Sequence, residues 1–281
     1  MDFYKYHALG NDYIVLDPQK ININLSKDNI KLICHRNFGI GSDGILYGPI
    51  FNDTKINLRI FNPDGSEAEK SGNGLRIFSK YLIDAGYISN KVFLVSTIGG
   101  EVKVEILSYE PVLIKIDMGT VTFKSNEIPV SGKVREIINE PLLVKGNSYN
   151  ITCLSIGNPH CVILLNDISE EKAREIGPLI ENNVIFPNRI NVQLLKIIDR
   201  QNINIEIWER GAGYTLASGS SSCAAACAAN KLGLVDKKIR VNMQGGYLEI
   251  EIDESGHIQM IGHVSAVMEG NFSREMRTKL M

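Results

Sequence analysis

The 281-residue chain has no run approaching the ~20 apolar residues that a membrane-spanning helix needs. Its first residues, MDFYKYHALGNDYIVLD, carry charge and a Gly-Asn break where a secretory leader needs an unbroken apolar stretch. A basic excess is also missing. The 30 Lys and Arg against 32 Asp and Glu leave a net charge of −2, which argues against binding nucleic acid by phosphate neutralisation. Cys34, Cys153, Cys161, Cys223 and Cys227 form no CxxC pair and no His-bracketed spacing, so no metal is expected, and an odd number cannot all pair within one chain. Free thiols in a reducing compartment are the simplest account. Apolar residues make up 44% of the chain, too many for long disorder. At roughly 150 residues per domain, the expectation is a cytoplasmic protein of two domains with no membrane and no nucleic-acid partner.

Short alternating or apolar runs dominate what is present: YIVLD near 13, INLRIF at 56, VFLVST at 92, EVKVEIL at 101, VLIKIDMG at 112, CVILL at 161, INIEIW at 203 and YLEIEID at 247. Period-two alternation and β-branched content predict strands for them. Long helical patterns are few. The best are NGLRIFSKYLIDAG (73–86) and SSSCAAACAANKLG (220–233), each closing on a glycine suited to the position after a helix C-cap. Two more begin at candidate N-caps, Ser26 for 26–37 and Ser169 for 169–180. The fold class is α+β, with strands in the majority.

The two halves share a pattern of landmarks. Ser71-Gly72 opens one helix and Gly86 closes it, and Ser218-Gly219 opens the other and Gly233 closes it, with the same spacing. Asn62 and Glu209 each stand nine residues before the serine. Each helix leads to a strand, a Gly-Gly pair (Gly99-Gly100, Gly245-Gly246) and another strand, and Gly10-Asn11-Asp12 is echoed by Gly157-Asn158-Pro159. The pattern predicts two pseudo-symmetric lobes, each a strand-rich barrel around a central helix. Their expected ranges are 1–118 and 119–265, with the apolar tail within 266–281 returning to pair with the first lobe.

Both helix openings, Ser71-Gly72-Asn73-Gly74 and Ser218-Gly219-Ser220-Ser221, put small residues where free N–H groups and the positive end of a helix dipole attract an anion. One such opening is an ordinary Ser N-cap. A pair in related lobes has a further use, because both can face one cleft and flank the α-carbon of a small carboxylate. Racemising an α-amino acid without a cofactor needs a base on one face, an acid on the other, and stabilisation of charge developing on the carboxylate.

FNPDGSEAEKSGNGLR and ERGAGYTLASGSSSCAAACAA, together with HALGNDYIVLD, GNPHCV (157–162) and RINVQ (189–193), closely resemble diaminopimelate epimerase over almost the whole chain. The resemblance implies the two-lobed fold and a cofactor-independent interconversion of LL- and meso-2,6-diaminopimelate, which feeds lysine and peptidoglycan synthesis in bacteria. It implies a small amino-acid substrate and allows a homodimer.

The sequence departs from the family where the chemistry sits. Family members carry a cysteine before each helix-opening glycine, one acting as thiolate base and the other as thiol acid, whereas Ser71 and Ser218 stand here. A thiol is readily tuned to titrate near neutrality, and an alkanol is a far poorer base. Two readings follow: an epimerase whose thiols were exchanged for nearly isosteric hydroxyls, inactive or very weak as it stands, or a natural variant with different chemistry. The first is preferred because the surroundings keep the family pattern. The second covers a racemase, isomerase or dehydratase of another amino acid, and a non-catalytic amino-acid-binding relative.

Position by position, the resemblance assigns the distal end of the substrate to Asn11, Asn62, Asn158, Asn191, Glu209 and Arg210. It assigns the reacting end to the backbone of Gly72, Asn73, Gly74, Gly219 and Ser220, with His160 and Glu209 supporting the acid–base pair. Arg210 offers a bidentate partner to a carboxylate, Glu209 a partner to an ammonium, and the asparagines both donors and acceptors. Each also has a plain structural use: Asn62-Pro63-Asp64-Gly65 is turn chemistry, and Glu209-Arg210 a solvated pair. The second glycine of the family's frequent Gly-Thr-Gly is replaced by Ser221.

Overall fold

A computed structural model describes residues 1–52 and 55–280. They fall into two compact units, Met1–Asp117 with Gly262–Met281, and Met118–Ile261. Met281, the last residue of the expected returning tail, lies outside the described residues.

The first unit opens with the hairpin β1 (Phe3–Ala8) and β2 (Asn11–Leu16). Leu9 and Gly10 both have positive φ, 57° and 86°, the two-residue turn whose twist matches that of paired strands. Helix α1 (Lys27–Cys34), capped by Ser26, leads to β3 (Ile45–Asn52), which lies parallel to β2. β4 (Lys55–Phe61) returns antiparallel and carries the short β5 (Glu67–Ala68). Helix α2 (Gly72–Asp84) then leads to β6 (Val92–Thr97), parallel to β4, and a meander of β7 (Gly100–Tyr109) and β8 (Val112–Thr120) follows.

The second unit repeats the plan. β9 (Glu140–Val144) pairs with β10 (Asn147–Ser155), which forms a hairpin with β11 (Pro159–Leu164). Helix α3 (Glu170–Glu181), capped by Ser169, leads to β12 (Asn191–Ile197), parallel to β11. β13 (Asn202–Glu209) carries β14 (Gly213–Thr215), and helix α4 (Gly219–Lys231) precedes β15 (Lys238–Met243), parallel to β13. β16 (Gly246–Ile252) and β17 (His257–His263) complete the meander. β18 (Ser265–Gly270) pairs with β1 as β9 pairs with β10, and α5 (Arg274–Leu280) ends the chain.

In each unit the strands curl around one helix. Leu75, Arg76, Ile77, Phe78, Ser79, Tyr81 and Leu82 of α2 are fully buried, as are Ala224, Ala225, Ala226, Ala228 and Ala229 of α4. A helix buried on every face is enclosed rather than laid against a surface. Both helices stop alike. After α2, Gly86 (φ 74°) donates to Ile83 and Tyr87 to Leu82; after α4, Gly233 (φ 72°) donates to Asn230 and Leu234 to Ala229. This is the glycine-terminated pattern anticipated at both positions. Among the described residues, no helix is long and apolar enough to cross a membrane.

Candidate active site

Ser71 is the N-cap of α2: its backbone is extended (φ −140°, ψ 117°) and its hydroxyl accepts the Gly74 N–H at 3.0 Å. Tyr13 places its phenol 3.3 Å from the same hydroxyl. On β2, two residues before Tyr13 and hence on the same face, Asn11 brings its amide to the first turn of α2. Its Oδ1 accepts from Asn73 Nδ2 at 3.0 Å, while its own Nδ2 donates to Asp43. Asn73 in turn accepts from the buried Arg76 at 2.7 Å. Asn11, Ser71, Gly72, Asn73 and Gly74 are thus gathered at one helix start. Asn62 is not tied to them: its amide donates to Ser66 Oγ at 2.9 Å, inside the turn that Gly65 closes with φ 84°.

The second unit builds a matching helix start. Ser218 caps α4 (φ −147°, ψ 126°), and its hydroxyl accepts from Ser221 N–H at 3.4 Å and lies 3.5 Å from the Ser220 hydroxyl. Ser220 also receives a hydrogen bond from Asn158 at 3.4 Å, and the Asn158 Oδ1 lies 3.0 Å from His160 Nε2. His160 is completely buried, and that burial pushes its pKa down to about 3, so it is neutral near pH 7. A neutral His160 protonated on Nε2 donates to Asn158 and fixes that amide with its N–H groups toward Ser220. Gln193 anchors the same turn by donating to Ser221 Oγ at 3.0 Å.

The remaining polar candidates lie on neighbouring strand ends. Asn191 donates to Pro159 O at 2.8 Å and accepts the Arg210 backbone N–H at 3.0 Å, which ties β12 to the turn after β13. Glu209 and Arg210 occupy that turn, with Arg210 exposed and donating to Asn188 O at 3.1 Å. The turn is held by the buried Glu181 of α3, which accepts from Gly211 N–H at 2.9 Å and from the Trp208 indole at 2.7 Å. Sequence reasoning missed Tyr13, Asp43, Arg76, Glu181 and Gln193. Tyr13 carried a usable signal, its period-two relation to Asn11. Arg76 carried another, its three-residue spacing from Asn73 on one helix, and Asp43, Glu181 and Gln193 meet their partners only through the fold.

A family model described as diaminopimelate epimerase matches residues 3–124 and 152–267. The chain belongs to the diaminopimelate epimerase family. It is 54% identical over 277 residues to diaminopimelate epimerase 2 of Nostoc sp., covering 98% of this chain and 97% of the relative. With the diaminopimelate epimerase of Moorella thermoacetica it shares 34% identity, over 97% and 99% of the two chains. Solved structures of similar fold include a hydroxyproline epimerase from Agrobacterium vitis (TM-score 0.69, 11% identity, 95% and 90% covered). A Bacillus anthracis phenazine biosynthesis protein of the PhzF family is another (TM-score 0.65, 16% identity, 95% and 96% covered). The fold class read from sequence, α+β with strand-rich units around helices, is that of this family, and membership places the chain among amino-acid epimerases of lysine biosynthesis.

Proposed function

We propose that the chain binds 2,6-diaminopimelate in the manner of its family, and that Ser71 and Ser218 in the acid–base positions leave it with little or no epimerase activity. The reaction of the family reading transfers one proton: a base takes it from Cα on one face, the electron pair is held on the adjoining carboxylate, and an acid returns a proton on the other face. Each helix start, Gly72–Gly74 in its unit and Gly219–Ser220 in the other, offers N–H groups and a positive dipole end suited to a carboxylate. Arg210 and Glu209 supply partners for the distal carboxylate and ammonium, with Asn11, Asn158 and Asn191 completing the recognition and Asn62 offering the N–H and amide oxygen that its bond to Ser66 leaves over. No cofactor takes part in this reading.

The observation that carries the proposal is the setting of the two hydroxyls. The hydrogen-bond partners of Ser71 and Ser218 are backbone N–H groups and other hydroxyls. A serine becomes a useful acid–base or nucleophilic group when a neighbouring base accepts its proton, and these contacts supply none. The same dipole that would stabilise a thiolate is therefore left beside a neutral hydroxyl.

Deuterium incorporation at Cα of LL-diaminopimelate in D2O, followed by mass spectrometry, tests this against the Ser71→Cys/Ser218→Cys variant. The expected result is binding by both proteins and exchange in the cysteine variant faster by at least ~100-fold. Exchange by neither, with no calorimetric binding, removes the diaminopimelate assignment. Binding without exchange in either protein favours a non-catalytic amino-acid-binding relative.

A further inference from the structure

A single chain of hydrogen bonds runs along the first helix start, and its two ends carry opposite charge. Arg76, fully buried in α2, donates from Nη2 to Asn73 Oδ1 (2.7 Å); Asn73 Nδ2 donates to Asn11 Oδ1 (3.0 Å); Asn11 Nδ2 donates to Asp43 Oδ2 (3.0 Å). The direction of every link is forced. A guanidinium has no acceptor, so the Asn73 atom facing it is the amide oxygen, and an ionised carboxylate has no donor, so the Asn11 atom facing it is the amide nitrogen. With both ends fixed, the central contact pairs one donor with one acceptor. Turning either amide over would set nitrogen against nitrogen or oxygen against oxygen.

We propose that Arg76 and Asp43 are positioning residues that lock the amides of Asn73 and Asn11, so that Asn11 meets an amino-acid ligand in one orientation only. The ligand is taken from the diaminopimelate reading, whereas the lock stands on the contacts alone. Each amide keeps one N–H and one oxygen lone pair outside the chain. A carboxylate needs the first and an ammonium the second, and a turned amide would exchange them. An asparagine free to turn would present the wrong polarity part of the time, and ordering it on binding would weaken affinity.

Asp43 also accepts from Arg36 at 2.7 Å and from the Asp12 N–H at 3.2 Å, so its loop-anchoring role has to be separated from its role toward Asn11. Arg36→Met removes the anchoring ion pairs and keeps the Asn11 contact. Asp43→Ala removes the acceptor, and Asp43→Asn keeps an oxygen that can face Asn11. In the free protein, side-chain amide resonances of Asn11, assigned by substitution and read by 15N-edited NMR, should move in Asp43→Ala and stay in Arg36→Met. Calorimetric affinity for LL-diaminopimelate should fall at least about tenfold in Asp43→Ala, recover to within about threefold in Asp43→Asn, and stay within about twofold in Arg36→Met. Equal losses in Asp43→Ala and Arg36→Met, or an Asn11 amide that ignores Asp43→Ala, overturn the proposal. If the unsubstituted chain binds no diaminopimelate, the ligand assignment falls, and the amide spectra still decide whether the lock exists.

Discussion

At the scale of single residues, the site is a set of short polar side chains whose protonation and orientation are set by neighbours. Ser71 satisfies a helix N–H, so Ser71→Ala should lower stability by ~1 kcal/mol in urea unfolding, a cap loss independent of any catalytic role. His160 gives a pH signature. Its folded pKa lies near 3 against an ordinary 6.5, because burial opposes the charged form. Between those values the unfolded chain binds a proton that the folded chain refuses. Stability is therefore complete above about pH 6.5 and declines as pH falls, by up to ~1.4 kcal/mol per pH unit from this residue. Urea midpoints from neutral to about pH 4 should fall less steeply in His160→Gln; an identical acid limb would contradict a buried neutral histidine. Ser71 and Ser218 were legible as caps because a small polar residue before glycine at a helix opening has a local signature. Asp43 was not, since the contact that gives it meaning crosses from a loop to a strand.

Among the elements, α3 acts as a clamp on the β13–β14 hairpin. Glu181 binds the Trp208 indole and the Gly211 N–H, and Gly177 lets the ring approach so closely that an added Cβ would lie 2.5 Å from Trp208 Cγ. Gly177→Ala should cost about 1–3 kcal/mol through overpacking, read by thermal unfolding. Glu181→Ala strips three donors, the Trp208 indole, the Gly211 N–H and the Arg189 guanidinium, of their acceptor and should cost about 2–5 kcal/mol, with a parallel loss of diaminopimelate affinity because Glu209 and Arg210 ride on that turn. Affinity unchanged in a folded Glu181→Ala protein would remove the turn from ligand recognition. Helix starts were readable in advance: Ser26, Ser71, Ser169 and Ser218 cap α1 to α4, and α2 and α4 stop at Gly86 and Gly233, whereas α1, expected over 26–37, ends at Cys34 where His35 turns to extended backbone, and α5 was not foreseen. Some strands were hidden. In β3, Gly48-Pro49 falls where the register with β4 shifts, so the pattern that marks a strand is broken by a bulge. β15, with Lys238 and Arg240 outward, was legible from the repeat, as the strand expected between the second helix and Gly245-Gly246.

For the molecule as a whole, the landmarks spaced alike in the two halves of the sequence sit on matching elements, and what the repeat could not show is the different origin of its outer strands. β9 precedes its partner β10 in the chain, whereas β1 receives β18 from the other end. Phe272 and Leu280 lie in the same core as Phe3, Ile14 and Ile30, Phe272 meets the Phe3 ring at 5.4 Å, and Asp2 accepts from Phe272 N–H and Arg277. Phe272→Ala should therefore cost about 3–5 kcal/mol. Hydrogen exchange should quicken in β1 while β10 and β11 keep their protection; equal loss in both would contradict a local role for the tail. The arrangement also fixes an order of assembly on the ribosome. The unit formed by Met118–Ile261 is complete as one continuous stretch, whereas the amino-terminal unit, although synthesised first, keeps an uncovered strand edge at β1 until Gly270 has left the exit tunnel. The half made first is thus the half finished last, and through that interval its open edge is the part of the nascent chain most in need of a chaperone.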